Sequence, residues 1–290
     1  MTIRGGAEPG WTIPDLTDGD LQRFRTLILE ETGIRLTANK RPLLISRLAQ
    51  RVRELGLDSF RAYFDQIMAD ISGRELIDFI NRITTNKTSF FRESHHFDFL
   101  RDRLIPELRA KGRSQIRIWS AACSSGEEPY SIAMMLREAL GAASSWDISI
   151  LASDIDTEML GRAQAGIYPL SALEEIKEPR RKAHFLRGYG DFEGCAQLRL
   201  EVRRMVRFRR INLIDSGWPA EESFDAIFCR NAIIYFGPET QRRILERLAR
   251  GLAPHGYLFV GHSENLHWMS DWLTPVGITI YRPVERKGRW

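Results

Sequence analysis

The chain has 290 residues, which is enough for one large or two modest domains with buried cores. Its 42 basic and 38 acidic side chains leave a formal net charge of +4, too small an excess to predict non-specific nucleic-acid binding as the main activity. No apolar run approaches the roughly 18 residues of a membrane span, and the three cysteines form no CxxC pair. We therefore expect a cytoplasmic protein with reduced thiols and no bound metal.

The first part of the chain has helical apolar spacing and no strand-like segment. Residues 1–15 are rich in glycine and proline, so we predict a flexible N-terminus there. Over residues 16–82 apolar side chains recur at every third or fourth position, and Thr17 or Asp18 is placed to cap the first helix. The pattern predicts an all-helical N-terminal domain, followed by a linker helix over residues 83–112.

Beyond residue 112, strand-like and helical segments alternate. Buried strands are predicted over residues 116–123, 148–156, 206–213, 224–231, 256–262 and 276–282. Helices are predicted between them, over residues 129–140, 157–165 and 239–252. This alternation predicts an α/β domain over residues 113–290, with a mainly parallel sheet covered on both faces. Residues 166–205 interrupt the alternation with charges and glycines, and we interpret them as an insertion.

The loop after the first strand carries one glycine and two carboxylates, Glu127 and Glu128. It matches neither the GxGxxG of a dinucleotide site nor the GK[ST] of a phosphate loop. Carboxylates at a helix N-terminus would repel a pyrophosphate but suit a cationic ligand, although they also complement the helix dipole without any ligand. The second strand ends near Asp154, an acid placed to accept both hydroxyls of a ribose. These acidic strand ends favour a methyltransferase sheet over a nucleotide-phosphate one.

Five stretches of the sequence resemble the chemotaxis receptor methyltransferases, the CheR family. They are ITTNKTSFFRESHHF (83–97), WSAACSSGEEPYSIA (119–133), ASDIDTEML (152–160), FDAIFCRNAIIYF (224–236) and GHSEN (261–265). The resemblance implies a Rossmann-like S-adenosylmethionine-dependent methyltransferase domain with a small inserted β subdomain, preceded by an all-α bundle. It also implies transfer of methyl groups to glutamate side chains of bacterial chemoreceptors.

The resemblance further implies which residues bind S-adenosylmethionine and its product S-adenosylhomocysteine. The expected cofactor-binding residues are Asn86, Thr88, Arg92, Glu127, Glu128, Asp154, Asn212, Leu213, Asn231 and Ala232. Arg92 is also the candidate for holding the substrate carboxylate, and Tyr235 is expected beside the transferred methyl group. Because a glutamate side chain is already ionised at neutral pH, the reaction needs no general base. The sequence leaves open which of the two adjacent glutamates faces the cofactor.

Other interpretations of these residues and of the whole chain stay open. Asn86 could cap a following helix, Arg92 could form a surface ion pair, Asn212 could be a turn residue and Tyr235 a core aromatic side chain. A methyltransferase that acts on another protein, a nucleic acid or a small molecule is one alternative function. A non-catalytic scaffold that binds S-adenosylmethionine is another.

Two histidine-containing motifs are interpreted as structural. His95 and His96 are adjacent, and adjacent side chains on a helix point about 100° apart, which does not suit two ligands of one metal. His262 and Glu264 lie two positions apart, and we interpret them as a structural loop pair rather than an acid–base dyad.

The basic residues are concentrated in two regions. Residues 35–61 carry seven basic and two acidic side chains, and residues 174–210 carry eleven and six, so each region has a net charge of +5. The resemblance implies that the first region docks on the helical cytoplasmic domain of a chemoreceptor, through Lys40, Arg41, Arg47, Arg51 and Arg53. A solvated helix face is the alternative.

The resemblance also implies where the protein works. We expect a cytoplasmic monomer that is recruited to membrane-bound receptor arrays, without a nucleic-acid partner and without insertion into the membrane. In some family members the inserted β subdomain holds a peptide at the receptor's C-terminus, and the sequence leaves open whether this chain does so.

Overall fold

The structure is a computed structural model that describes residues 12–141, 145–218 and 223–284. The chain divides into two compact units, residues 1–85 and residues 86–290. Most of the stretch predicted to be flexible, residues 1–15, lies outside the described residues. Within the described ranges, no helix is both long enough and apolar enough to cross a lipid bilayer.

The first unit consists of helices in its described part. These are α1 (Asp18–Thr32), α2 (Arg41–Glu54), α3 (Phe60–Ala69) and α4 (Arg74–Ile83). Thr17 caps α1, because its side chain accepts a hydrogen bond from the backbone N–H of Asp20. Phe24, Tyr63 and Phe79 are buried between the helices with their ring centroids 5.5–6.4 Å apart. The predicted all-α bundle is confirmed.

The second unit begins with an irregular segment, residues 86–94, followed by a helix. The helix runs from α5 (His95–Phe99) through a π-helical turn (Leu100–Leu104) into α6 (Ile105–Ala110). Phe91 and Glu93 in the irregular segment have φ values of +53° and +57°. Non-glycine residues adopt this conformation where the surrounding structure holds them there.

Ten strands and five further helices follow. The strands are β1 (Gln115–Ser120), β2 (Asp147–Asp154), β3 (Ile167–Pro169), β4 (Phe185–Arg187), β5 (Cys195–Leu198), β6 (Val206–Arg210), β7 (Phe224–Phe228), β8 (Leu252–Phe259), β9 (Leu273–Gly277) and β10 (Ile280–Pro283). The helices are α7 (Glu127–Leu140), α8 (Thr157–Ala165), α9 (Glu178–His184), α10 (Leu200–Arg203) and α11 (Pro238–Gly251). Both counts refer to the described residues.

Seven of these strands form the main sheet, in the order β6-β2-β1-β7-β8-β10-β9. The five strands from β6 to β8 are parallel, whereas β10 runs antiparallel to both of its neighbours. The sequence predicted one final strand over residues 276–282, and this prediction was wrong. A turn at Ile278 and Thr279, where Thr279 has φ +56°, separates β9 from β10. The apolar alternation continues through that turn and does not reveal it.

Helices cover both faces of the main sheet. On one face Ile116 and Ile118 of β1 share a buried cluster with residues of α6 and α7. On the other face Trp119 and Ile227 share a second cluster with residues of α11. The predicted α/β architecture with helices on both faces is therefore confirmed.

A second, three-stranded antiparallel sheet lies within the predicted insertion. Its order is β3-β5-β4, so the middle strand is the last of the three in the chain. The small inserted β subdomain that the resemblance implied is therefore present.

Candidate functional site

The order of the main sheet points to one edge as the binding site. From β1 the chain adds β2 and β6 on one side, and then β7 and β8 on the other. Ligands of such sheets bind outside the carboxyl ends of the strands at the point where the order reverses, which here is between β1 and β7. The loops after β1, β2 and β7 meet there, and the irregular segment 86–94 contacts them.

The segment 86–94 is attached to the ends of β1 and β2 through Asn86. The Asn86 side-chain amide donates to the Asp156 carboxylate at 2.7 Å, and its backbone carbonyl accepts from the Ser124 hydroxyl at 3.0 Å. Asp156 also caps α8, because it accepts the backbone N–H groups of Glu158 and Met159. Residues 87–94 are not helical, so Asn86 is not a helix cap.

Asp154, at the carboxyl end of β2, orders the same loops. Its carboxylate accepts the backbone N–H of Ser124 at 2.8 Å and that of Asp156 at 3.0 Å. Burial raises the pKa of Asp154, and these N–H groups oppose the rise. Each carboxylate oxygen has two acceptor positions, so both oxygens can accept further hydrogen bonds.

A single glycine shapes the entry into α7. Gly126 has φ +96°, and a Cβ at this position would lie 2.8 Å from the Cβ of Ala163 and 2.9 Å from the Tyr168 hydroxyl. The loop therefore needs one glycine for close packing against α8, rather than several to approach a phosphate.

The two glutamates that open α7 have different partners, although each is 8% exposed. Glu128 accepts from the Ser120 hydroxyl at 2.6 Å and forms an ion pair with Arg230 at 3.0 Å. Glu127 accepts from the Ser125 hydroxyl at 2.7 Å, and no basic side chain of the described residues pairs with it. Burial raises the pKa of Glu127 above its usual range.

Arg230, which follows the end of β7, connects three parts of the site. It is 7% exposed, and besides Glu128 it contacts the Glu93 carboxylate at 3.2 Å and the backbone carbonyl of Arg92. These contacts hold the irregular segment against α7 and β7. Arg230 was not among the predicted site residues, although an arginine two positions after a fully buried strand is a signal of a buried ion pair.

Arg92 differs from Arg230 in having a guanidinium without a carboxylate partner in the described ranges. It donates one hydrogen bond, 3.0 Å long, to the backbone carbonyl of Lys87, and the side chain is half-buried. Thr88 on the same segment is also half-buried. Arg230 holds the backbone carbonyl of Arg92 in place, and the Arg92 guanidinium has no carboxylate partner in the described ranges. Arg92 is therefore suited to hold an anion.

The turn after β7 carries three further predicted residues. Asn231 has φ +57°, Ala232 precedes a short 3₁₀ turn, and Tyr235 ends that turn with a half-buried side chain. The backbone N–H of Asn231 donates to the Glu264 carboxylate at 2.8 Å. Glu264 is thus bonded to this turn, and its sequence neighbour His262 is not among its hydrogen-bond partners.

Asn212 and Leu213 lie beyond the end of β6, which neighbours β2. The Asn212 side chain accepts the backbone N–H of Ile214 at 3.3 Å, as in an Asx turn, and Leu213 is buried beside Trp119. Asn212 is therefore a turn residue, and the cofactor contact of both residues stays a prediction.

The adjacent histidines have separate partners. The ring of His95 contacts the carbonyl of Ile278 at 3.2 Å, and the ring of His96 contacts the hydroxyl of Thr279 at 2.9 Å. Burial, together with the positive charge of Arg230, lowers the pKa of His96 to about 2. No group of three or more His, Cys, Asp or Glu residues in the described part of the chain is arranged to hold a metal ion.

In the first unit, three of the predicted docking arginines make internal contacts. Arg41 bonds the carbonyl of Leu16, Arg47 bonds the carbonyls of Ile83 and Thr84 at the end of α4, and Arg51 forms a bidentate pair. The partner of Arg51 is Glu75, with N–O distances of 2.9 and 2.6 Å. The arginine lowers the pKa of Glu75.

Lys40 and Arg53 are the two exposed members of the predicted docking set. Substitution of Arg47 or Arg51 would break contacts between helices of the first unit and lower its stability. The docking role of the whole set stays a prediction, and Lys40 is a position at which docking is separable from folding.

The charges at the sheet edge suit S-adenosylmethionine. Glu127 is a buried carboxylate without a cationic partner in the described ranges, and an isolated buried charge is costly unless a ligand neutralises it. A ligand with an ammonium and a sulfonium supplies that charge, whereas a phosphate would add repulsion. The cofactor contacts of Glu127, Asp154 and the turn at Asn231 stay predictions.

Comparison with known proteins identifies the family. The family signature of the CheR methyltransferase SAM binding domain matches residues 86–282, and that of the CheR methyltransferase all-alpha domain matches residues 19–84. The chain is 46% identical over 270 residues to chemotaxis protein methyltransferase 2 of Pseudomonas aeruginosa, covering 92% of this chain and 94% of that protein. It is 42% identical over 267 residues to the chemotaxis protein methyltransferase of Salmonella typhimurium, covering 92% and 90%. The chain belongs to the CheR family and is an S-adenosylmethionine-dependent methyltransferase of chemotaxis.

Proposed function

We propose that the chain methylates glutamate side chains of chemoreceptors, forming glutamyl 5-O-methyl esters for chemosensory adaptation. The observation that carries the proposal is the pairing of charges at the sheet edge. Arg230 is neutralised by Glu93 and Glu128, whereas Arg92 on the adjoining segment has no carboxylate partner in the described residues. A half-buried arginine of this kind suits a carboxylate substrate better than an amine or a nucleobase.

We assign the cofactor contacts from the charges and free acceptor positions of the site. Glu127 would pair with the ammonium of S-adenosylmethionine, because Glu128 is already bonded to Ser120 and Arg230. Asp154 would accept the ribose hydroxyls with the acceptor positions that its backbone donors leave. The remaining contacts would come from Asn86, Thr88, Asn212, Leu213, Asn231 and Ala232.

The proposed reaction needs no acid–base catalysis by the side chains of this protein. S-adenosylmethionine supplies the electrophilic methyl group, and a glutamate substrate arrives already ionised, so no proton has to be removed. Arg92 would hold the carboxylate bidentately, and the Arg92 carbonyl is fixed by Arg230. Tyr235 would border the path between carboxylate and methyl group. Catalysis would then come from alignment and exclusion of water.

The two units would divide the work. The first unit would dock on the helical cytoplasmic domain of the receptor, with Lys40 and Arg53 as exposed cations. The β subdomain of the second unit would hold a receptor C-terminal peptide. Among the described strands, β4 lies at an edge of that subdomain's sheet with one side unpaired, which is the requirement for adding a strand. The enzyme would act as a cytoplasmic monomer at receptor arrays.

Transfer of a labelled methyl group from S-adenosylmethionine to a purified chemoreceptor cytoplasmic fragment tests the proposal. We expect label in the protein that mild alkali releases as methanol, because carboxyl methyl esters hydrolyse under conditions in which N-methyl groups persist. A fragment in which the accepting glutamates are replaced by alanine is the control and should stay unlabelled. Alkali-stable label would instead indicate nitrogen methylation, and binding of cofactor without transfer would indicate a scaffold.

A further inference from the structure

Glu264 is a buried carboxylate whose role the site described so far does not explain. It lies in the loop after β8 and is 4% exposed. Its side chain accepts three backbone N–H groups, from Gly261 at 2.6 Å and from Asn231 and Ile233 at 2.8 Å each. Both oxygens are in use, and two of the three donors belong to the turn after β7. Glu264 therefore joins the ends of two neighbouring strands.

The turn that Glu264 holds has an unfavourable backbone conformation. Asn231 has φ +57°, a left-handed conformation that costs free energy for any residue with a side chain, although asparagine tolerates it better than most. Gly261 in the β8 loop packs against the same residue, since a Cβ there would overlap the side-chain amide of Asn231. The β8 loop thus fixes Asn231 by hydrogen bonds and by close packing.

We infer that Glu264 is a positioning residue, which sets the conformation of Asn231 and Ala232 and thereby the affinity for S-adenosylmethionine. The inference rests on the proposed cofactor contacts of that turn. A carboxylate is needed because three N–H donors converge on one side chain, and only a group with two acceptor oxygens satisfies all three. Glutamine has the same shape, but its amide NH₂ would face at least one backbone N–H. A donor would then oppose a donor, and the turn would lose a hydrogen bond.

Three variants separate positioning from general stability. Glu264→Gln removes an acceptor, Glu264→Asp keeps both acceptors on a shorter side chain, and Asp225→Asn is the matched control. Asp225 is a fully buried carboxylate at the opposite end of β7, where it accepts the backbone N–H of Arg117. Calorimetry with S-adenosylhomocysteine, thermal unfolding, and the KM values for S-adenosylmethionine and for receptor fragment are measured for each.

We expect Glu264→Gln to weaken S-adenosylhomocysteine binding at least tenfold and to raise the KM for S-adenosylmethionine, while the KM for receptor fragment stays unchanged. Glu264→Asp should recover part of the affinity, and Asp225→Asn should lose stability with less than a twofold change in affinity. Wild-type affinity in Glu264→Gln, or equal losses in Glu264→Gln and Asp225→Asn, would overturn the inference. If Glu264→Gln fails to fold, an Asp variant that binds as tightly as wild type would overturn it. Failure of the wild type to bind S-adenosylhomocysteine would instead refute the proposed cofactor site.

Discussion

Buried carboxylates at the two ends of the main sheet have different kinds of partner. At the amino end of β7, the Asp225 carboxylate contacts Arg113 and His255, each at 2.7 Å, and accepts the backbone N–H of Arg117. At the carboxyl end of the sheet, Glu127 is also buried, but it bonds one serine hydroxyl and no described basic side chain. One end of the sheet has a carboxylate that basic side chains neutralise, and the other has a carboxylate without a cationic partner among the described residues.

This difference distinguishes stability from binding. A buried carboxylate with a complete set of partners holds the fold together, and removal of one partner is costly. A buried carboxylate without a cation weakens the fold, and such a group persists where a ligand brings the missing charge. The same contrast separates Glu128, which is paired with Arg230, from Glu127, which is adjacent in sequence.

The largest effect is expected for Arg92→Ala. Loss of the group proposed to hold the substrate carboxylate should lower kcat/KM for receptor methylation by about 10²–10³-fold, or roughly 3–4 kcal/mol, with little change in thermal stability. Arg113→Ala, at the neutralised end, should show the reverse, a loss of stability with turnover retained. Steady-state kinetics and thermal unfolding of both variants measure this. An Arg92→Ala enzyme with normal turnover would remove Arg92 from the mechanism.

A smaller effect is expected for Asp225→Asn. The substitution leaves Arg113 and His255 without their carboxylate, and we expect a loss of about 3 kcal/mol in the free energy of unfolding. Urea denaturation measures this loss, and the m-value should stay unchanged. A variant as stable as wild type would mean that the ion pairs at this end contribute nothing net, which would weaken the contrast between the two ends.

The smallest effect concerns pH. Burial lowers the pKa of His96 to about 2 from 6.5, so below pH 6.5 the unfolded chain binds a proton at this residue and the folded chain does not. The free energy of unfolding should therefore fall as the pH drops, by about 1 kcal/mol per pH unit from this residue. His96→Gln should flatten the slope between pH 6 and 5. Identical slopes in His96→Gln and wild type would show that His96 becomes protonated in the folded chain.

The fold was largely predictable from the sequence, because apolar periodicity reflects which faces of an element are buried. The helix predicted over residues 157–165 matches α8 at both ends. The strands predicted over residues 206–213 and 224–231 are shorter in the structure, because the residues after them turn into the binding edge. The turn at Ile278 was missed because its neighbours on either side continue the apolar alternation.

The site was predictable as motifs but not as contacts. The GEEP motif indicated an acidic loop, yet the sequence cannot distinguish Glu127 from Glu128, since the difference depends on Arg230, about a hundred positions away. The interpretation of His262 and Glu264 as a loop pair likewise missed that Glu264 bonds the backbone of another strand's turn. Backbone donors carry no signal in the sequence, so contacts of this kind emerge only from the three-dimensional structure.

Calorimetric titration of wild type and Glu127→Gln with two ligands tests whether Glu127 binds the amino end of the cofactor. S-adenosylhomocysteine carries the ammonium proposed to pair with Glu127, and methylthioadenosine lacks it. We expect Glu127→Gln to bind S-adenosylhomocysteine about tenfold more weakly, a loss of about 1.4 kcal/mol, and to bind methylthioadenosine as wild type does. The variant should unfold at the same or a higher temperature. Equal weakening of both ligands, or unchanged binding of both, would contradict the claim that the unpaired charge of Glu127 holds the amino end of the cofactor.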